Sequence, residues 1–117
     1  MRTDDVKGTG AGGAFINVVD IDLFWDSLMA GRLISQVLLK QMLSVQSRDG
    51  SAQYGYGICL AGTGINALIP YFQGSDPGVS FISCYDTTHQ VRVTAVSNFE
   101  SNVWRLEKDI IKIASKL

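Results

Sequence analysis

Few side chains in this 117-residue sequence have the types and spacing that a catalytic nucleophile requires. A serine attacks a carbonyl carbon only when a nearby base takes its proton, yet no serine here has a lysine three residues later. Ser115 and Lys116 are merely adjacent. The one histidine, His89, has no other histidine or cysteine at a metal-ligand spacing, so we predict no metal site. The sequence therefore contains no convincing pair of nucleophile and base.

A glycine-rich run occupies residues 8–13 and formally matches the G-x-G-x-x-G pattern of dinucleotide-binding proteins. That pattern needs a buried strand directly before it, because its glycines turn the strand tightly into the start of a helix. Residues 3–7 are too polar for such a strand. We therefore predict a flexible or tightly turning segment over residues 1–13 and no cofactor site.

The composition indicates one domain spanning residues 1–117 with a substantial core, since 46% of the residues are apolar. The formal charge is −1 and the basic residues are scattered, so no surface for nucleic acid is indicated. No apolar run approaches the roughly 20 residues that span a bilayer. The first seven residues are polar and do not begin a signal peptide. Cys59 and Cys84 fall in predicted strands, where two buried free thiols are favoured over a disulfide.

The most informative stretch runs from residue 72 to residue 98. Strands are predicted over 79–85 and 91–97, joined by a polar loop at 86–89. Each strand carries apolar residues on both faces, which is typical of a sheet covered on both sides. The segment before them is Phe72-Gln73-Gly74-Ser75-Asp76-Pro77-Gly78. A strand pair with glycines at its beginning and a helix behind it forms one wall of the cleft in several hydrolase folds.

Three helices are predicted around these strands. The first is capped by Asn17, ends at Gly31 and buries one face, formed by Ile21, Phe24, Trp25 and Leu28. Ser35 caps a second, shorter helix. The last helix covers about residues 102–116, and its predicted core-facing stripe consists of Val103, Leu106, Ile110, Ile113 and Leu117.

The remaining segments complete the predicted fold. Residues 44–52 are expected to form a polar loop, and a strand is expected over 54–60, where alternating glycines leave one face flat for close packing. Residues 67–72 form a short strand whose Pro70 indicates an edge or a bend. The fold class is therefore α+β: an antiparallel sheet of three to four strands, packed with an N-terminal helical pair and a C-terminal helix.

Several segments, taken in this order, resemble serine β-lactamases of the class C type, penicillin-binding peptidases and related esterases. They are Ala11-Gly12-Gly13, Val19-Asp20-Ile21, residues 28–35, Tyr54-Gly55-Tyr56-Gly57, residues 74–78 and Val96-Ser97-Asn98. The resemblance covers about residues 10–117 and only the C-terminal portion of that fold. It implies a partial β-lactamase or transpeptidase-like architecture.

The resemblance implies that the acylating serine lies outside this polypeptide, because the Ser-x-x-Lys and Tyr-x-Asn motifs of the family are upstream of the matching region. The family's third motif, a cation with a glycine two residues later on the cleft strand, falls at Phe72-Gln73-Gly74, where Phe72 replaces the cation. By the family pattern, the backbone N–H of Ser75 would be one of two donors to the oxyanion. The substrate would contact Phe72, Gln73, Gly74 and Ser75, and no catalytic side chain is expected here.

Two functions stay open at this point. In the first, the chain is the C-terminal part of a serine hydrolase, lines the cleft and is inactive by itself. In the second, it is a non-catalytic binding or relic module of the same fold, and the segment at 72–78 is ordinary turn chemistry. The expected partner is the missing N-terminal portion of the fold, or a second copy paired through the strand edge at 91–97. The resemblance alone suggests an extracytoplasmic location.

Overall fold

The structure, a computed structural model, describes residues 14–62, 69–100, 103–114 and 116. The elements in chain order are α1 (Val18–Met29), α2 (Gln36–Met42), β1 (Ser47–Asp49), β2 (Ala52–Tyr54), β3 (Cys59–Ala61), β4 (Ile69–Asp76), β5 (Val79–Asp86), β6 (Val91–Ser97) and α3 (Val103–Ala114). The strands form one antiparallel sheet in the order β1-β2-β3-β4-β5-β6. The predicted α+β class is confirmed, with six strands where three to four were expected. The segment at 1–13 lies outside the described residues.

The additional strands come from two segments whose glycines reverse the chain. The segment predicted as a polar loop forms the β1–β2 hairpin, which turns at Gly50 with a φ of +57°. The single strand predicted over 54–60 is divided, since β2 ends at Tyr54 and Gly57 adopts a φ of +68° before β3 begins. A left-handed backbone costs glycine little, so these glycines form turns.

Gly55 confirms the expectation that something packs close to this region. The carbonyl of Met42, at the end of α2, accepts a hydrogen bond from the N–H of Tyr56 at 3.1 Å. A Cβ atom on Gly55 would lie 2.0 Å from that same carbonyl oxygen. The sheet is therefore fastened to α2 at a point where only glycine fits.

The two N-terminal helices begin where the sequence predicts. Asn17 caps α1 and forms a reciprocal capping box with Asp20, and Ser35 caps α2. Gly31 follows α1 with a φ of +72°, as its position predicted. The predicted buried face of α1 is correct for Ile21, Trp25 and Leu28, whereas Phe24 is 40% exposed.

Helices cover both faces of the sheet, as the apolar strands predicted. On the α1 face, Trp25 is fully buried and its Nε1–H donates to the Ser83 hydroxyl at 2.8 Å. On the α3 face, Val103 packs with Ile82 of β5 and Ala95 of β6. The main core therefore lies around Trp25, and a smaller core lies under α3.

The predicted buried stripe of α3 is correct for Val103 and wrong for the three apolar residues that follow it. Glu107 is 6% exposed and faces the sheet, while three apolar side chains of the predicted stripe are exposed: Leu106, Ile110 and Ile113 at 53%, 37% and 63%. Leu117 lies outside the described residues. Trp104 and Ile111 face a cavity beside β2, β3 and β4, so helical geometry places the exposed three on the opposite flank, toward β6. We call Leu106, Ile110 and Ile113 the α3 flank.

Candidate functional site

The outer side of β4 is partly unpaired. β5 pairs with β4 from Tyr71 to Asp76, but β3 pairs with it only from Ile69 to Tyr71. Among the described residues, no strand bonds to the outer side of residues 72–76, which we call the open β4 edge. The sequence placed the end of this strand at Phe72; the strand instead continues through the predicted site residues, because β5 supplies a partner for each of them.

The hairpin register determines which backbone groups of β4 face outward. Pro77 and Gly78 form a two-residue turn, so Asp76 and Val79 exchange hydrogen bonds. Antiparallel ladders alternate, so the N–H and C=O groups of Gln73 and Ser75 point to the open β4 edge. The same alternation directs the nitrogen of Pro70 toward β5. The pairing with β5 begins only at Tyr71, so the missing N–H of the proline costs no hydrogen bond there.

Neither the backbone angles of Gly74 nor its described neighbours require a glycine at this position. Its φ is not in the left-handed region, unlike that of Gly78, which is +82°. A Cβ atom built on Gly74 would have no heavy atom of the described residues within 4 Å, apart from its chain neighbours. The space above Gly74 is therefore open, on the α1 face and directly opposite Phe81 in the register.

Phe72 belongs to an aromatic cluster on the α1 face. Its ring centroid lies 5.4 Å from Trp25, 5.5 Å from Phe81 and 6.0 Å from Phe24. Phe72 is half-buried, and the exposed Phe24 meets it edge to face. Phe72 thus contributes apolar packing and leaves an aromatic wall beside Gly74.

The strands around the open β4 edge carry no lysine or arginine, whereas Lys108 and Lys112 of α3 border the cavity that Gln73 lines on the α3 face. No lysine or arginine occurs between Arg48 and Arg92, a stretch that includes β2, β3, β4 and β5. Asp76 is exposed and shares a face with Gly74, because side chains two residues apart on a strand point the same way. On the α1 face, β3, β4 and β5 therefore offer no lysine or arginine to pair with a carboxylate.

Gln73 projects to the opposite, α3 face. There it borders a cavity of about 820 Å³ between α3 and strands β2 to β4, together with Tyr71, Trp104 and Glu107. Burial raises the pKa of the Glu107 carboxyl, while a hydrogen bond with the Cys84 thiol and the nearby Lys108 partly offset that rise. The sequence does not reveal this group, since a glutamate on an amphipathic helix is ordinarily solvated.

The two cysteines are free, as predicted. Cys59 pairs with Tyr71 in the register, and Tyr71 pairs with Cys84, so the thiols are separated by two strand spacings of about 4.8 Å each. That separation exceeds the reach of a disulfide. Burial, followed by the neighbouring Glu107, raises the pKa of Cys84, which makes this thiol unreactive.

His89 has a local role in the β5–β6 loop. The buried Asp86 carboxylate accepts hydrogen bonds from the N–H of Thr88 at 2.9 Å, the N–H of His89 at 3.1 Å and the His89 Nδ1 at 2.7 Å. Burial alone would raise the pKa of Asp86, but these bonds outweigh it and lower the pKa. In the described ranges, no group of three or more histidine, cysteine or acidic side chains is arranged to hold a metal ion.

None of the described helices is long and apolar enough to cross a membrane.

Comparison with known proteins shows the fold. No family model and no curated protein matches the sequence. The structure is similar to the crystal structure of a penicillin binding protein from Bacillus halodurans, with a TM-score of 0.82 and 25% sequence identity. The similarity covers 91% of this chain and 33% of that chain, so this chain spans about a third of that protein's length. The chain therefore has the fold of part of a penicillin-binding protein.

Proposed function

We propose that this chain is the C-terminal part of a serine acyl hydrolase with a penicillin-binding-protein-like fold. In this proposal β4 lines the cleft, and an N-terminal portion of the same fold supplies the nucleophilic serine and its lysine. The observation that supports it most is the open β4 edge, with outward backbone groups at Gln73 and Ser75 and open space above Gly74. These are the features that an extended substrate needs beside a strand.

The proposed contribution of this chain to catalysis is one backbone hydrogen bond. When a serine attacks a carbonyl, the oxygen becomes negatively charged and is stabilised by N–H donors already aimed at it. The N–H of Ser75 points to the open β4 edge and is held by a strand paired with β5. This role needs no particular side chain, so it is compatible with Phe72 at the cation position.

The same proposal accounts for surfaces at the other end of the sheet. β6 is the last strand in the sheet order, and the ladder phase directs the backbone groups of Arg92, Thr94 and Val96 outward. The α3 flank is exposed on the same side. The unpaired backbone groups of β6 and the apolar α3 flank would be covered by a strand and a helix of the N-terminal portion in this proposal.

The assignment to the class C type is the narrower part of the proposal. It rests on the order of the sequence motifs, whereas the similar structure is described as a penicillin binding protein. Residue 72 is aromatic where the family carries a cation, so the proposed reaction is acyl transfer in general, without a commitment to β-lactam hydrolysis.

A second candidate function is a non-catalytic module of the same fold. Two observations favour it: Phe72 packs into the aromatic cluster instead of presenting a charge, and the sequence contains no Ser-x-x-Lys motif. A module of this kind would keep the open β4 edge for binding but would not form an acyl-enzyme.

Covalent labelling separates the two functions. The chain would be produced joined to the N-terminal portion of its fold and treated with a penicillin or a fluorophosphonate probe. We expect labelling of a serine in the N-terminal portion and no labelling of this chain alone. Absence of labelling in the joined protein, with its fold intact, would establish the non-catalytic module.

A substitution pair tests the role of the Ser75 backbone. Ser75→Pro removes the N–H without removing a ladder bond, because that N–H faces outward, and Ser75→Ala keeps it. We expect the acylation rate constant to fall about 10²- to 10³-fold in the proline variant. The alanine variant should acylate within about threefold of the parent, an effect of under 1 kcal/mol. Equal rates in both variants would remove Ser75 from the oxyanion site.

A further inference from the structure

We infer that the open β4 edge selects an extended acyl chain that is uncharged near Phe72 and presents an apolar group over Gly74. This inference rests on the proposed function, because it names the substrate class of that same site. It starts from the shape of the site: residues 72, 74 and 76 share the α1 face of β4, and Gly74 lies between an aromatic ring and a carboxylate.

The space above Gly74 is bordered by aromatic carbon. Phe81 is the direct cross-strand neighbour of Gly74, and its ring centroid is 5.5 Å from that of Phe72. Phe24 extends the same wall and remains 40% exposed. A methyl, isobutyl or phenyl group over Gly74 would remove part of this wall from water, at about 25 cal/mol for each Å² of apolar surface buried.

The charges argue against a carboxylate at this position. A carboxylate that leaves water needs a cation or several hydrogen-bond donors. Neither β4 nor its neighbours β3 and β5 carry a lysine or an arginine. Asp76 is exposed on the same face, about 13 Å along the strand from Phe72, and offers no cation for a carboxylate. An ester or a secondary amide carries no charge and therefore needs no cation at this position.

The backbone supplies the remaining recognition. The outward N–H and C=O groups of Gln73 and Ser75 can pair with an extended ligand as another strand would. Residues 73 and 75 are two apart, so a ligand that bonds both places its side chains alternately toward and away from the α1 face. One ligand side chain then lies over Gly74. A glycine leaves the space that this side chain occupies, which gives a reason for glycine at position 74.

The test compares two peptides that differ only at one end. The ¹⁵N-labelled 117-residue chain is titrated with N-acetyl-leucyl-leucine N-methylamide and with N-acetyl-leucyl-leucine bearing a free carboxylate. We expect the neutral peptide to shift the amide resonances of Gln73 and Ser75, with at least tenfold weaker binding of the carboxylate. Asp76→Asn should change this preference less than twofold, because residue 76 lies about 13 Å along the strand from residue 72, beyond the screening length of about 8 Å at physiological salt. Phe72→Lys should favour the carboxylate.

The outcomes separate this inference from the proposed function. Equal affinity for the two peptides, or tighter binding of the carboxylate, overturns the substrate class while leaving a ligand-binding edge. If neither peptide shifts residues 73 and 75, the edge does not bind an extended chain and the proposed site fails with the inference. Gly74→Val is the matched control, because its side chain fills the space above the strand and should abolish the response to both peptides.

Discussion

At the scale of single residues, Asp86 shows how much one buried carboxylate can organise. It is 4% exposed, and it accepts hydrogen bonds from Thr88 and His89 of the β5–β6 loop. The last residue of this loop is Gln90, whose φ of +56° returns the chain into β6. Asp86 therefore stabilises the tight connection between the two strands that carry most of the sheet's pairing.

Replacing Asp86 should destabilise the protein in a pH-dependent way. The pKa of Asp86 is lower in the folded protein than in the unfolded chain, so its stabilising effect is present above an unfolded pKa of about 4. That effect is lost as the pH falls through the lower, folded pKa. We expect Asp86→Ala to lower the free energy of unfolding by about 1–3 kcal/mol at pH 7, measured by urea denaturation.

Between pH 5 and strongly acidic solution, the free energy of unfolding should fall less in Asp86→Ala than in the parent, because the variant has no Asp86 carboxylate to protonate. Asp49→Ala is a suitable control, because Asp49 is exposed in the β1–β2 hairpin. A parallel decline of stability with pH in Asp86→Ala and the parent would mean that the loop bonds do not hold the carboxylate in its charged form.

At the scale of elements, Gly55 and Gly74 occupy positions with opposite surroundings, one enclosed and one open. Gly55 is enclosed by the Met42 carbonyl of α2, so the protein itself excludes a side chain there. Gly74 has open space above it and a backbone conformation that other residues adopt readily. The first glycine serves the fold, and in our proposal the second serves a ligand.

Alanine substitution should therefore affect the free energy of unfolding differently at the two positions. Gly55→Ala forces α2 away from the sheet and breaks the bond between Tyr56 N–H and Met42 C=O, so we expect a loss of roughly 1–3 kcal/mol in the free energy of unfolding. Gly74→Ala should stay within about 1 kcal/mol of the parent, since its backbone geometry suits alanine. Urea denaturation measures both. Equal losses would show that Gly74 is also required by the fold.

At the scale of the whole molecule, the β6 end of the sheet is paired with no further described strand. β6 pairs only with β5 and presents its outer backbone groups beside the α3 flank. Val96 is 58% exposed on the α1 face of that edge. Open edges of this kind pair with other strands, either from the remainder of a fold or from a second copy.

We therefore expect the 117-residue chain alone to associate with itself through β6. Val96→Lys places a charge on the open edge and should shift the chain toward monomer, because a lysine opposes the approach of another strand. Val37→Lys is the matched control, since Val37 is 69% exposed on α2, away from the edge. Sedimentation equilibrium over a range of concentrations measures both. A parent chain that stays monomeric at its highest soluble concentration would contradict this expectation.

Much of the fold follows from local signals. Asn17, Ser35 and Gly31 mark helix ends because capping depends on hydrogen bonds and backbone angles within a few residues. The strands β5 and β6 follow from apolar residues on both of their faces. The short strands β1 to β3 were missed as separate elements, since three-residue strands carry too little pattern to be distinguished from loops.

The sequence by itself determined the helix ends and the α+β class, and it predicted a site at residues 72–75. Only the tertiary structure decided that Glu107 faces the sheet while Leu106 is exposed, and that Phe72 packs on Trp25. It alone decided that the backbone of Ser75 points to an open edge. The physical reason is distance along the chain: caps and turns are satisfied by near neighbours, whereas burial, edge exposure and ring contacts depend on partners tens of residues away.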